Sequence, residues 1–201
     1  MIVENEEVTR LPPEQLMGYA QAFNLLGSCY RIAPDDRKLA PMLSVFDTGD
    51  WVHFWVAEIP EKHHDYLRTG LSQKDQSELK KAWSRLFVGP EPNPVPPWGS
   101  VYLDPERLLQ GESTQALKVF LKREQLNVKT DCPEPPDHIG LMLYQAAFLA
   151  AKEREDALLE LLREHLYTWL PFYLKQHGET KVSSFYTALT KLTLITVESL
   201  L

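Results

Sequence analysis

Cysteine, glycine and basic charge are all scarce in this chain of 201 residues. Its two cysteines, Cys29 and Cys132, cannot build a framework of several disulfides, and neither stands in a C-x-x-C pair of the redox or zinc type. A reducing compartment is the simple expectation. Lys and Arg number 21 against 28 Asp and Glu, giving a net charge of −7. Duplex-binding proteins are ordinarily basic, because phosphate contacts supply most of their affinity, so nucleic acid is not an expected partner. No run of roughly 18 apolar residues occurs, so no membrane-spanning helix is expected. The N-terminal stretch carries Glu4, Glu6 and Glu7 and lacks the basic-then-apolar order of a signal peptide. A soluble, cytoplasmic protein is therefore expected.

Motifs of chemistry are missing too. There is no H-E-x-x-H, no G-x-S-x-G and no G-x-x-x-x-G-K-[ST] phosphate loop. Asp137 and His138 are adjacent and would point about 100° apart on a helix, so they cannot form a His-orienting dyad alone. His63 and His64 lie in a polar segment. No catalysis, metal or cofactor is expected.

What the chain does have is 44% hydrophobic residues, enough for one sizeable core at this length. Leu16, Ala20, Phe23, Leu26, Gly27 and Tyr30 recur at steps of three and four, which predicts a helix from Pro13 to about Arg31. A weaker pattern of Leu39, Leu43 and Phe46 predicts another over Asp36 to Phe46. The alternation in DWVHFWVA (50–57) fits a strand or a short buried helix equally. Ser72 with Asp75 reads as an S-x-x-D helix start, opening a helix to about Val88 with the stripe Leu79, Ala82, Trp83, Leu86, Phe87. About sixteen residues without pattern follow. Pro105 then opens a turn, and Ser113 or Thr114 starts a helix carrying Leu117, Phe120 and Leu121 inward. Pro136 is placed for the first turn of a helix burying Ile139, Met142, Leu143, Ala146, Ala147 and Ala150. Helices over Glu155 to Trp169 and Ser184 to Leu201 complete the set, with a short piece after Pro171 between them. The predicted class is all-α, a single globular helical domain. No repeat of the length used by solenoids is visible.

Proline is the abundant stiff residue, 15 against 9 glycines, and eight of the 15 fall in two loops. Pro90, Pro92, Pro94, Pro96 and Pro97 occupy the first loop; Pro133, Pro135 and Pro136 occupy the second. Each X-Pro step biases its predecessor toward extended backbone, so these loops lose little freedom when they bind something. The first loop is flanked by Trp83 and Phe87 before it and by Trp98 and Tyr102 after it. Both loops are purely acidic, with Glu91, Asp104 and Glu106 in or beside the first and Asp131, Glu134 and Asp137 in or beside the second. If they meet, they make an apolar, proline-walled site rimmed with carboxylates, suited to a basic and hydrophobic segment. Core packing would account for the stripe just as well. Asp137 at a helix start could be there for the dipole alone.

The run AWSRLFVGPEPNPVPPWGSVYLD (82–104), with EPPDHIGLML (134–143) and the early AFNLLGSCYRIAP (22–34), resembles the TorD/DmsD family of redox-enzyme maturation chaperones, nearest the DmsD branch. The resemblance covers most of the chain from Leu16, leaving 1–15 as an N-terminal extension. It implies a non-enzymatic, all-helical cytoplasmic chaperone. Such a chaperone binds the twin-arginine signal peptide of a molybdoenzyme, of dimethyl sulfoxide or trimethylamine N-oxide reductase type, and delays export until the cofactor is inserted. The family's leader pocket carries over to Trp83, Leu86, Phe87, Pro96, Pro97, Trp98, Asp137 and His138. Tyr102 stands where the DmsD branch often has Trp, and EPNPV departs from the branch locally. The Tat translocase is a second implied partner, and the chain is expected to be a monomer for which a domain-swapped dimer is open. An adaptor for a folded oxidoreductase subunit, using the same aromatic surface, is the alternative.

Overall fold

The first helix, α1, spans Pro13–Arg31 and buries Leu16, Tyr19, Ala20, Phe23, Leu26 and Tyr30, the face its spacing predicts. The computed structural model describes residues 10–72, 75–89, 92–107, 109–126 and 134–201. Cys132, Glu91, Asp131, Pro90 and Pro133 lie outside the described residues, as does 1–9 of the N-terminal extension. Ahead of α1, the Leu11 N–H donates to both carboxylate oxygens of buried Glu155, at 3.2 Å each.

The expected helix over Asp36 to Phe46 is instead a turn, then α2 (Ala40–Leu43), then a 3-10 turn over Ser44–Asp47. Pro41 stands in the first turn of α2, where its missing N–H leaves no bond unmade. Leu39, Leu43 and Phe46 still face the core. The ambiguous DWVHFWVA is helical: α3 (Trp51–Phe54) buries Trp51 and Val52 and leaves Phe54 outside. Trp51 packs edge-on against Phe46 at 5.1 Å, and Trp55 donates its indole N–H to Thr196 Oγ1 at 2.9 Å.

After a 3-10 turn over Glu61–His63 comes α4 (His64–Leu71), then α5 (Gln76–Phe87). The cap of α5 is Asp75, not Ser72: its carboxylate accepts from the N–H groups of Ser77 and Glu78 at 2.9 and 3.2 Å. Ser72 ends α4. An aspartate caps as well as a serine, and Asp75 is the one adjoining the first helical residue.

The stretch without pattern hides a short helix, α6 (Ser100–Leu103). Next, α7 (Glu112–Arg123) begins just before the expected Ser113. Then α8 (Ile139–Ala151) buries ten of its thirteen residues. Pro136 precedes that helix and is not in its first turn; the cap is His138, whose Nδ1 accepts the Gly140 N–H at 3.0 Å. The single helix expected over Glu155 to Trp169 is divided into α9 (Glu155–Glu160) and a π-helical turn, Leu161–Leu166. Leu158, Leu161, Leu162 and Leu166 are buried, with His165 only half-buried. Pro171 sits in the first turn of α10 (Leu170–Thr180), so the short piece expected there is a three-turn helix. α11 (Ser184–Glu198) closes the chain.

Among the described residues there are eleven α-helices and no strand, the all-α class predicted. None of them is long and apolar enough to cross a membrane. α1 lies along α8, and α11 packs against α4 and α10. The α1–α8 crossing is close because both sides carry glycine: a Cβ on Gly27 would stand 3.0 Å from the Gly140 carbonyl. Thr190, Thr193 and Thr196 of α11 are fully buried yet satisfied, each hydroxyl donating to the carbonyl four residues earlier at 2.7–2.8 Å.

Candidate peptide-binding site

The two proline loops meet. Trp98 and His138 form an isolated antiparallel bridge. The Gly99 N–H donates to the Asp137 carbonyl at 3.1 Å, and the Ile139 N–H donates to the Pro97 carbonyl at 2.9 Å. Proline suits this contact because the extended backbone it imposes presents carbonyls outward. The Asp137 side chain, 4% exposed, completes the clasp. Its Oδ2 accepts from the Ser100 N–H at 2.9 Å and the Thr114 hydroxyl at 3.1 Å, tying the starts of α6 and α7 to the turn before α8. Its Oδ1 is buried and has no partner among the described residues.

His138 is also buried. Its Nδ1 is taken by the Gly140 N–H, and burial, helped by the Arg31 charge, pushes its pKa down to about 3. It is a neutral ring and packs as one, 6.2 Å from Phe87 and 6.1 Å from Trp98. Trp83 and Phe87 stand 6.3 Å apart on the last turns of α5, so Trp83, Phe87, His138 and Trp98 form one run of rings. Phe87 is backed edge-on by Tyr30 at 5.9 Å and Tyr186 at 5.2 Å. The Trp83 indole donates to the Tyr30 carbonyl at 3.3 Å.

Exposure divides the nine expected site residues. Trp83, Phe87, Pro96, Trp98 and Tyr102 are half-buried and reach the surface; Leu86, Pro97, Asp137 and His138 are buried behind them. Tyr102 joins through the loop and not through the ring run. Its hydroxyl donates to the Pro96 carbonyl at 2.9 Å, and its ring stacks on Trp169 at 5.6 Å. It faces a separate cleft of about 520 Å³ that includes Asn93, Pro96, Phe172 and Gln176. Gln176 donates to the Pro94 carbonyl at 2.7 Å, and Asn93 donates to the Leu86 carbonyl, so α10 and α5 brace the loop from both sides.

The sequence placed Glu134 and Asp137 among the rim acids but gave no sign of their partners. The Trp98 indole donates to Glu134 Oε1 at 2.7 Å, and Arg31, the last residue of α1, pairs with Glu134 Oε2 at 3.2 Å. No spacing rule links residues 103 apart. Ser100 and Thr114, the partners of Asp137, were equally invisible. Asp104, counted among the acids, is engaged by the N–H and hydroxyl of Ser113 at 3.2 and 2.7 Å.

Chemically the arrangement offers an aromatic and apolar surface with an acidic edge, and no nucleophile and base stand in reach of each other among its described residues. The Cys29 thiol is wholly buried, and that burial pushes its pKa far up. Among the described residues, no three His, Cys, Asp or Glu groups are placed to hold a metal ion.

Comparison with known proteins gives consistent matches. The profile of the nitrate reductase delta subunit family matches residues 56–174, a span holding both proline loops. The chain is 39% identical over 174 residues to the probable Tat proofreading chaperone DmsD of Haemophilus influenzae, covering 87% of this chain and 85% of that protein. Against the Tat proofreading chaperone DmsD of Salmonella typhi it is 34% identical over 181 residues, covering 89% and 87%. With the chaperone protein TorD of Shewanella piezotolerans the figure is 34% over 190 residues, covering 88% and 87%.

Proposed function

Because the chain belongs to the TorD/DmsD family of Tat proofreading chaperones, we propose that it binds the twin-arginine signal peptide of a molybdoenzyme precursor. The client is of the dimethyl sulfoxide or trimethylamine N-oxide reductase type, held back in the cytoplasm from the Tat translocase until its cofactor is inserted. The protein acts by binding and catalyses nothing. One observation carries the reading: the two proline loops are clasped at Trp98 and His138, beside the half-buried rings of Trp83 and Phe87.

The leader's apolar segment lies on the outer edges of Trp83, Phe87, Pro96 and Trp98. Leu86, Pro97 and His138 support those edges from behind, and Tyr102 extends the wall toward the α10 cleft. The arginine pair lies at the acidic end, where Glu134 and Asp137 stand. Burying three or four leader side chains yields roughly 5–10 kcal/mol at about 1.5–3 each, and ordering a disordered peptide returns several of these. The balance is near micromolar, about −8 kcal/mol, weak enough for hand-over. Calorimetry with a twin-arginine leader peptide should give such a dissociation constant. No binding at about 100 μM peptide, with the leaderless client captured instead, would replace this reading with the adaptor one.

A further inference from the structure

We infer that Arg31 is an internal stand-in for a leader arginine: it holds Glu134 until an incoming guanidinium displaces it, which makes Glu134 the carboxylate that reads the arginine pair. The inference rests on the leader-binding function proposed above and adds to it the residue that recognises charge.

Position distinguishes Glu134 from Asp137. Asp137 is 4% exposed, and its Oδ2 secures Ser100 and Thr114, so an arginine reaching that oxygen would have to open the clasp. The Arg31–Glu134 pair is at the edge, with side chains 21% and 17% exposed. Glu134 also accepts from the Trp98 indole. A peptide lying on Trp98 therefore arrives beside this carboxylate.

The existing contact can be improved upon. Arg31 reaches Glu134 through one nitrogen at 3.2 Å and leaves the paired geometry of guanidinium and carboxylate unused. The Arg31 guanidinium can turn outward without breaking a helical hydrogen bond: it ends α1, and its stem can stay packed over Gly140, where a Cβ would stand only 2.6 Å from its Cγ. The second leader arginine stays at the rim, because Asp137 Oδ1, though without a partner among the described residues, is buried behind the closed clasp.

Such an arrangement gives selectivity by exclusion. An apolar signal without arginines leaves Arg31 in place. A leader with the pair exchanges one cation for another, and its apparent affinity is set by the fraction of time Arg31 is displaced. A lysine pair does less well, because an ammonium is a point charge without the planar fork.

The test is calorimetry of the full chain with a twin-arginine leader and with the same peptide carrying two glutamines in place of the arginines. Arg31→Gln should bind the twin-arginine leader about tenfold more tightly than the wild type, while affinity for the glutamine peptide changes by less than about twofold. Glu134→Gln should lose the preference for arginine. Arg31→Lys, which keeps a cation on Glu134 and so protects the fold, should fall between wild type and Arg31→Gln. If the wild type prefers the arginine leader but Arg31→Gln and Arg31→Lys bind it no more tightly, the stand-in is refuted and the leader-binding function survives. The stand-in is refuted equally if Arg31→Gln lowers thermal stability and leaves selectivity unmoved. A wild type without preference for arginine refutes both.

Discussion

Replacing Asp137 by alanine should weaken the fold before it weakens any ligand contact. Its Oδ2 accepts from Ser100 N–H and Thr114 O–H, and both residues are 0% exposed, so water cannot take over. Two hydrogen bonds to an ionised acceptor contribute about 1.5–3 kcal/mol each. Against that, the substitution removes a carboxylate whose Oδ1 is buried without a partner among the described residues, relieving about 1–3 kcal/mol of desolvation. The net loss is about 2–3 kcal/mol, which at an ordinary urea m-value lowers the unfolding midpoint by about 1–2 M. Thr114→Val, which deletes one bond and spares the other, should cost about 1–2 kcal/mol, and the double variant should lose less than the sum because the two residues share the contact. Asp137→Asn keeps an acceptor and should stay within about 1 kcal/mol of the wild type. A midpoint shift below about 0.3 M for Asp137→Ala, at unchanged m, would show that the carboxylate does not hold the clasp.

Trp98→Ala should weaken a twin-arginine leader by about 30-fold or more, the size expected of a central aromatic anchor, while Trp98→Phe, which loses the bond to Glu134 and part of the ring area but keeps an aromatic face, should lose less; equal effects in calorimetry would contradict the ring's role. His177 is buried, and burial pushes its pKa down to about 3, as for His138. An unfolded chain binds protons at both positions below about pH 6.5 while the folded chain does not, so stability should fall as pH drops from there toward 3, by about 2 kcal/mol per residue at pH 5. Neither ring nitrogen of His177 has a partner among the described residues, so His177→Phe should match or exceed the wild type at pH 7 in denaturant titrations and should flatten the acid slope; an unchanged slope would count against its neutral burial. Gly140→Ala places a Cβ 2.6 Å from Arg31 Cγ and 3.1 Å from the Gly27 carbonyl, and should destabilise by about 1–3 kcal/mol in thermal unfolding.

The long helices were legible in the sequence because burial on one face repeats every three to four residues: α1, α5, α7, α8 and α11 are where the spacing predicts. Their edges were not. Asp75 and His138 displaced Ser72 and Pro136 as start signals, since several residue types can serve a helix start and only the tertiary contacts choose among them. α6 has four residues, too few for a period to show. The turn at Leu161–Leu166 is π-helical within a sequence whose apolar spacing still reads as α. At the candidate site, prolines, rings and acids pointed to two special loops, and the family resemblance named nine positions in those loops and on the helices beside them. Neither could show that Asp137 turns inward to Ser100 and Thr114, or that Arg31 crosses to Glu134. Such pairings depend on how helices cross, and periodicity carries no information about that.

The bridge at Trp98 and His138 also bears on the order of folding. It joins segments whose staple, Ser100 to Asp137, spans 37 residues, with α6 and α7 in the excursion between. Closing a loop of that length costs entropy before any contact repays it, yet the α1–α8 crossing at Gly27 and Gly140 closes an excursion about three times as long. The clasp is thus the more local contact and can form before α1 docks. The ring run is completed only later, because Phe87 takes its backing from Tyr30 of α1.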